Sequence, residues 1–220
     1  SYAGITDETT WNFTSADETN PTVSSLSPAD GATGVATTAN LVITFDEEVD
    51  AESGNITLYK SDDTQIQVFD VTSDISGSGG TAITLNPTSD LAEQTSYYVQ
   101  IAATAFDDAA GNSYAGITDE TSWNFTSADE TAPTISSVAL ASDNSTLAVT
   151  FSEAVYTTTD AATALVVGDF AFSISGGTAT LTEENKTPSS ISISGNVYTL
   201  GISLSGTPDG GETLTVNPAS

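Results

Sequence analysis

The sequence predicts an all-β fold of two-sheet sandwiches in tandem, and three observations carry that expectation: period-two alternation, closely spaced turn clusters and an internal repeat. Leu41, Ile43 and Phe45 alternate with Val42 and Thr44, and Tyr97, Val99 and Ile101 alternate with Tyr98 and Gln100. That is the period of strands with one face in a core. Between such runs stand Pro28-Ala29-Asp30-Gly31, Glu52-Ser53-Gly54-Asn55, Ser76-Gly77-Ser78-Gly79-Gly80 and Ala110-Gly111-Asn112, rich in residues that accept positive φ or bond their own backbone. Ser76–Gly80 lacks the Lys and the helical continuation of a phosphate loop, so it reads as a strand connection. Residues 1–25 recur at 113–137 with differences only at Thr10/Ser122, Asn20/Ala132 and Val23/Ile135, a period of 112 residues (113 − 1). A period of that size equals one domain rather than one turn of a solenoid.

The elements follow in order. Residues 1–19 read as the C-terminal strand and linker of a preceding repeat, with Trp11 and Phe13 spaced like Trp123 and Phe125. Residues 20–131 read as a complete sandwich, about seven short strands over about 110 residues, which is the immunoglobulin-like signature. Trp123 and Phe125 close it as the last strand, both rings on the core face. Residues 132–220 read as a second sandwich. There Leu147–Val155 corresponds to Leu41–Val49 with a shift of 106 (147 − 41), six residues less than the repeat period (112 − 106). The shortening falls between the first two strands, where a surface loop tolerates deletion. Alternation continues through 169–174, 190–193 and 197–200, and Thr213–Val216 aligns with the run before Ile101. The second sandwich is expected to lack its last strand.

Composition narrows function. Thirty Asp and Glu face two Lys, Lys60 and Lys186, for a formal net charge of −28. Nucleic acid needs clustered basic groups, so it is excluded as a partner, and no apolar run approaches the ~20 residues of a membrane span. The chain has no Cys and no His, which removes disulfides, thiolate chemistry and the usual general base. Oxygen chemistry remains. The acids are too numerous for any one pair to stand out as a glycosidase couple.

At this point a resemblance is legible. The opening Pro21–Val35, the segments Phe45-Asp-Glu-Glu-Val49 and Phe151-Ser-Glu-Ala-Val155, and Asp108-Ala-Ala-Gly-Asn112 resemble the bacterial immunoglobulin-like (Big) domains of S-layer proteins and giant repeat adhesins. The resemblance implies an extracellular, cell-surface or secreted β-sandwich, often stiffened by calcium, serving as a stalk or spacer. A carbohydrate- or protein-binding module is the alternative, with a glycan or other cell-surface ligand as its partner. It would need an exposed aromatic platform, for which Tyr59, Tyr98 and Tyr156 are the candidates. No enzyme is expected.

The residues support the calcium part on their own chemistry. In such a sandwich the N-terminal linker, the turn after the second strand and the turn before the last strand gather at one pole. Here these carry Asp17 and Glu18, Glu47, and Asp107, Asp108 and Asn112. Converging carboxylates repel one another unless a cation sits among them, and Ca²⁺, with ~6–8 oxygen ligands in loose geometry, suits side chains delivered from turns better than Mg²⁺ does. The competing reading is an acidic, solvated surface. At the next junction Asp129, Glu130 and Glu153 repeat part of the set with fewer ligands. Neighbouring repeats of the same chain are the expected partners, together with head-to-tail self-association in which residues 1–16 supply the strand that residues 132–220 lack.

Overall fold

The computed structural model describes residues 4, 11–158 and 162–219, in two units, Ser1–Glu130 and Thr131–Ser220. The first unit comprises β1 (Val23–Ser27), β2 (Ala32–Val35), β3 (Leu41–Ala51), β4 (Asn55–Lys60), β5 (Gln65–Asp70), β6 (Ile75–Ser76), β7 (Gly80–Leu85), β8 (Ser96–Ile101), β9 (Phe106–Asp107) and β10 (Asn124–Ser127). One sheet runs β1-β3-β7-β6, with β9 against the end of β3; the other runs β2-β10-β8-β4-β5. The only parallel pair among the described strands is β2 with β10. This is the expected immunoglobulin-like sandwich. It holds more segments than the seven expected, because β6 and β9 are two-residue pairings and β2 crosses to the second sheet, features that alternation does not encode.

Alternation does fix the core. Leu41, Ile43 and Phe45 of β3 and Ile83 and Leu85 of β7 meet Ile56, Leu58, Val99, Ile101, Trp123 and Phe125 of the opposing sheet. Each large side chain withdrawn from water contributes roughly 1.5–3 kcal/mol. Trp123 is fully buried, and its Nε1–H donates to the Pro28 carbonyl at 2.9 Å, tying the last strand to the end of the first. Phe125 stacks on Tyr97 with centroids 5.6 Å apart.

The second unit comprises β11 (Ile135–Leu140), β12 (Thr146–Phe151), β13 (Phe170–Ser175), β14 (Ile191–Ser194), β15 (Val197–Gly201) and β16 (Thr213–Pro218), with single 3₁₀ turns at Val167–Asp169 and Glu183–Lys186. Its sheets are β11-β12-β15-β14 and β13-β16, closed on Leu147, Val149, Phe170, Phe172, Tyr198 and Leu200. The register of its first hairpin repeats that of the first unit: Ile135 faces Phe151 as Val23 faces Phe45, with a bulge after that pair in both. β12 stops at Phe151, whereas β3 continues to Ala51. The extension of β3 is held by β9 through Asp50↔Asp107 and Ala51↔Phe106, and no counterpart of β9 occurs among the described residues of the second unit. Instead the Tyr198 hydroxyl clamps Val155, donating to its carbonyl and accepting from its N–H, each at 2.8 Å.

One carboxylate organises a loop knot in this unit. Glu212 accepts the N–H groups of Thr178, Ala179, Asp209 and Gly210 at 3.0–3.2 Å. Gly177, at φ +57°, lies against this carboxylate, where a Cβ would collide with it. These N–H groups, that of Ala179 foremost, hold the Glu212 carboxyl down at about 2 against an ordinary 4.5. A depressed folded-state value means that the knot contributes its full stability above pH 4.5 and loses it as pH falls toward 2. In an NMR pH titration the Thr178 and Ala179 amides should shift with a midpoint near 2, and the shift should vanish in Glu212→Gln. A midpoint near 4.5 would contradict the knot.

Candidate metal centre

The acidic pole of the first unit is built by three segments. β3 carries Asp46, Glu47 and Glu48 through a stretch in which its pairing with β7 is interrupted, between Thr44 and Val49. The expected turn after the second strand is therefore an irregular part of the strand itself, prolonged by β9. Asp46 faces the linker and accepts both the N–H and the hydroxyl of Thr22 at 2.7 Å; these bonds, the hydroxyl first, lower its pKa.

The second segment is the turn Asp108–Asn112. Buried Asp108 accepts from the N–H groups of Ala110 and Asn112 through Oδ1, both at 2.8 Å, and from the Asn112 amide through Oδ2 at 2.7 Å. Gly111, at φ +88°, lets the turn close. These bonds, with the Asn112 side chain first, lower the Asp108 pKa and keep it a carboxylate. The third segment is the linker. The Asn112 Nδ2 group also donates to the Asp17 carbonyl at 3.2 Å, and Asp17 Oδ1 accepts from Thr19 N–H at 3.0 Å.

The outcome is that one carboxylate oxygen from each of Asp17, Glu47 and Asp108 lies within 4.8 Å of the other two. The three residues line an open hollow together with Glu48, Ala109 and Ala110. Glu47 registers the strain: its pKa is raised, by desolvation first and then by the charges of Asp108, Asp17 and Asp46. The donors are hard anionic oxygens without nitrogen or sulfur, which fits Ca²⁺. Three carboxylates, each able to bind through one or two oxygens, would leave water to complete the shell.

Of the residues singled out from sequence, Asp17, Glu47 and Asp108 converge, and Asn112 braces two of them. Glu18 is exposed and stands outside the triad. Asp107 is paired in β9 opposite Asp50 and also stands outside it. Asp129 accepts from Gln94 Nε2 at 2.6 Å, and Glu130 accepts from the N–H and hydroxyl of Thr37 at 3.2 and 2.6 Å, all within the first unit at its opposite pole. Glu153 belongs to the second unit. Glu48, part of the acidic segment Asp46-Glu47-Glu48 that the sequence places at this pole, is a wall of the hollow; what the sequence does not disclose is that Asp46 is the staple to Thr22.

The aromatic platform is corrected. Alternation places Tyr98 on the outer face of β8, yet it is only 5% exposed, because Tyr59 stacks on it at 5.0 Å and its hydroxyl donates to Asp63 at 2.9 Å. Desolvation, followed by that bond, pushes its pKa up to about 12. Tyr59 is half-buried in the same stack, and Tyr156, 44% exposed, belongs to the second unit.

No match is found among curated protein sequences. Two solved structures are similar over most of the chain at low identity. The S-layer protein rSbsC matches at 14% identity over 91% of this chain and 24% of that one, with a TM-score of 0.35. The N-terminal part of the bacterial S-layer protein SbsC matches at 16% identity over 92% of this chain and 44% of that one, with a TM-score of 0.37. The chain thus spans less than half the length of either. Residues 17–127 match the family model described as bacterial Ig-like domain, which covers the first unit with its acidic pole, and the protein belongs to that family.

Proposed function

We propose that the chain is a non-catalytic repeat module of a bacterial cell-surface protein, an S-layer-like or adhesin stalk, in which Ca²⁺ held by Asp17, Glu47 and Asp108 fixes the leading linker to its sandwich. The observation that carries this reading is the meeting of three carboxylates from linker, strand and turn, where desolvation first and then the charges of Asp108, Asp17 and Asp46 raise the Glu47 pKa. A cation there removes the repulsion and adds a tie between the linker and the two structural segments. The repeated linker sequence, Ser-Ala-Asp-Glu-Thr at 15–19 and again at 127–131, suits a module that recurs along a chain. A net charge of −28 would splay such an array by self-repulsion, which a bound divalent ion offsets locally. Tyr98, buried under Tyr59, does not offer the exposed ring that the binding-module alternative needs at that position.

Protease access tests the linker claim. A glutamate-specific protease should cut after Glu18 several-fold more slowly in millimolar calcium than in chelator, read by mass spectrometry of the released N-terminal peptide. The protection should be lost in Asp108→Asn. Equal cleavage rates in calcium and chelator would overturn the claim that the ion fixes the linker.

A further inference from the structure

The two sheet paths of the first unit end in β1 and β6 and in β2 and β5. A strand at a sheet edge presents unpaired N–H and C=O groups, which proteins blunt with short strands, bulges, Pro or Lys. β6 is two residues long. β2 has four residues, with Gly34 at φ +67° and a shifted register against β10. β1 is bulged between Val23 and Ser25 and is followed at once by Pro28. β5 is six residues long, contains no Pro, Gly or Lys, and exposes two aliphatic side chains, Ile66 at 43% and Val68 at 38%. No strand lies on its far side among the described residues.

Register shows which backbone groups face outward. Val71 N–H donates to the Gly54 carbonyl at 3.2 Å, and the pairs Ile56↔Phe69 and Leu58↔Gln67 follow at steps of two residues. These pairs bond to β4, so Val68, opposite Thr57, turns its N–H and carbonyl to the open edge. Ile66 stands in the bulge that follows the Leu58 pairing. On the inner side buried Phe69 anchors the strand, and Gln67 Oε1 accepts the Thr88 N–H at 2.9 Å. The edge is therefore held in place for a partner.

Exposed carboxylates stand at both ends: Asp62 and Asp63 in the turn that enters β5, Asp70 and Asp74 where it leaves. Each is fixed by a local bond. Asp62 accepts from Thr64 N–H at 3.0 Å, Asp63 from the Tyr98 hydroxyl at 2.9 Å, Asp70 from the N–H and hydroxyl of Thr72 at 2.8 and 2.7 Å, and Asp74 from Asp70 N–H at 2.9 Å. Hydrogen bonds from Thr64 and Thr72, side chain before backbone in each case, lower the pKa of Asp62 and Asp70. Lys60, in the entering turn, offsets one of these charges. Two copies of β5 paired with each other, in either direction, would set acids against acids at both ends, on chains of net charge −28 that already repel. A strand with a cation at each end reverses the sign of both contacts.

We propose that β5 is a docking edge for an extended segment of another protein, apolar at alternate positions and carrying Lys or Arg at each end. The backbone of the segment pairs with Val68, its apolar side chains cover Val68 and Ile66, and its cations meet the acids at the two ends of the strand. Seven residue steps separate Asp63 from Asp70 (70 − 63), about 23 Å at ~3.3 Å per residue, which sets the spacing of the two cations. The surface involves none of the proposed metal ligands.

Fluorescence anisotropy tests it, with the full chain titrated into a dye-labelled peptide Lys-Thr-Val-Thr-Val-Thr-Val-Lys. Binding should saturate, and hydrogen exchange at the Val68 amide should slow when the peptide is bound. The same peptide with Glu at both ends, and one N-methylated at every central residue, should bind roughly tenfold or more weakly, the first because the charges clash and the second because the ladder is blocked. Val68→Lys and Asp70→Asn should each weaken binding several-fold with little change in melting temperature, since both side chains are exposed and Asn keeps an acceptor for Thr72. Four results would overturn the proposal: no saturable binding to the wild-type chain, equal binding of the Glu-ended or the N-methylated peptide, binding unchanged in both variants, or self-association of the peptide-free chain that Val68→Lys abolishes, which would assign the edge to a second copy.

Discussion

Replacing Trp123 by alanine should lower the stability of the first unit by about 3–5 kcal/mol, the range for deleting a fully buried large aromatic. Trp123 is 0% exposed, its ring fills the space between the sheets, and its Nε1–H satisfies the Pro28 carbonyl. Truncation leaves both a cavity and an unpaired acceptor, and it removes one of the ties between the last strand and the end of the first. In a unit of this size the loss corresponds to a fall in melting temperature of roughly 15 °C or more. Trp11 supplies the internal control. It sits in the same Trp-Asn-Phe-Thr sequence but is 75% exposed, so Trp11→Ala in dilute solution should change stability by no more than about 0.5 kcal/mol. Calorimetric melting of the two variants checks the pair. Equal costs would mean that the two copies of the motif share one environment.

Calcium should raise the melting temperature of the same unit. The proposed ligands come from the linker, β3 and the Asp108–Asn112 turn, which only the folded state brings together, so binding would stabilise by mass action. Free ion at about 100 times its Kd contributes about 2.7 kcal/mol, on the order of 10 °C in Tm. Asp108→Ala should abolish that gain, because it removes a ligand and the acceptor that holds Ala110 and Asn112 in the turn. It should also lower Tm in chelator for the second reason alone. Asp108→Asn, which keeps an acceptor oxygen, separates the two effects: the gain from calcium is lost and less of the basal stability goes with it. pH enters through Glu47. Its raised pKa means that the ion displaces a proton there over the pH range where Glu47 titrates, so calcium affinity should grow as pH climbs through that range and fall below it.

How much of this was legible in the sequence depends on the distance over which each signal acts. Strands that bury one face advertise it locally, so Leu41, Ile43 and Phe45 were placed in the core from alternation alone. Trp123 and Phe125 were assigned to the closing strand in the same way. The repeat of residues 1–25 at 113–137 supplied the domain period without any structural input. Tyr98 shows where alternation stops: it names the face of the sheet, and cannot say that Tyr59 and Asp63 will cover that face. The acidic pole is legible as three acidic segments because the sandwich topology dictates which loops are neighbours. Which acids converge was not legible, since Asp107 and Asp108 are adjacent in sequence and only the pairing of β9 with β3 separates their roles. Nor does residue type say that the Asn112 Nδ2 group donates to Asp108 and to the Asp17 carbonyl, bracing the two segments.

Isothermal titration of Ca²⁺ into the chelator-stripped chain tests the calcium-braced module most directly. The expected result is saturable binding at the Asp17–Glu47–Asp108 site, and loss of that binding in both Asp108→Asn and Glu47→Gln. Heats no larger than dilution in the wild-type chain, or binding that both variants retain unchanged, would contradict it.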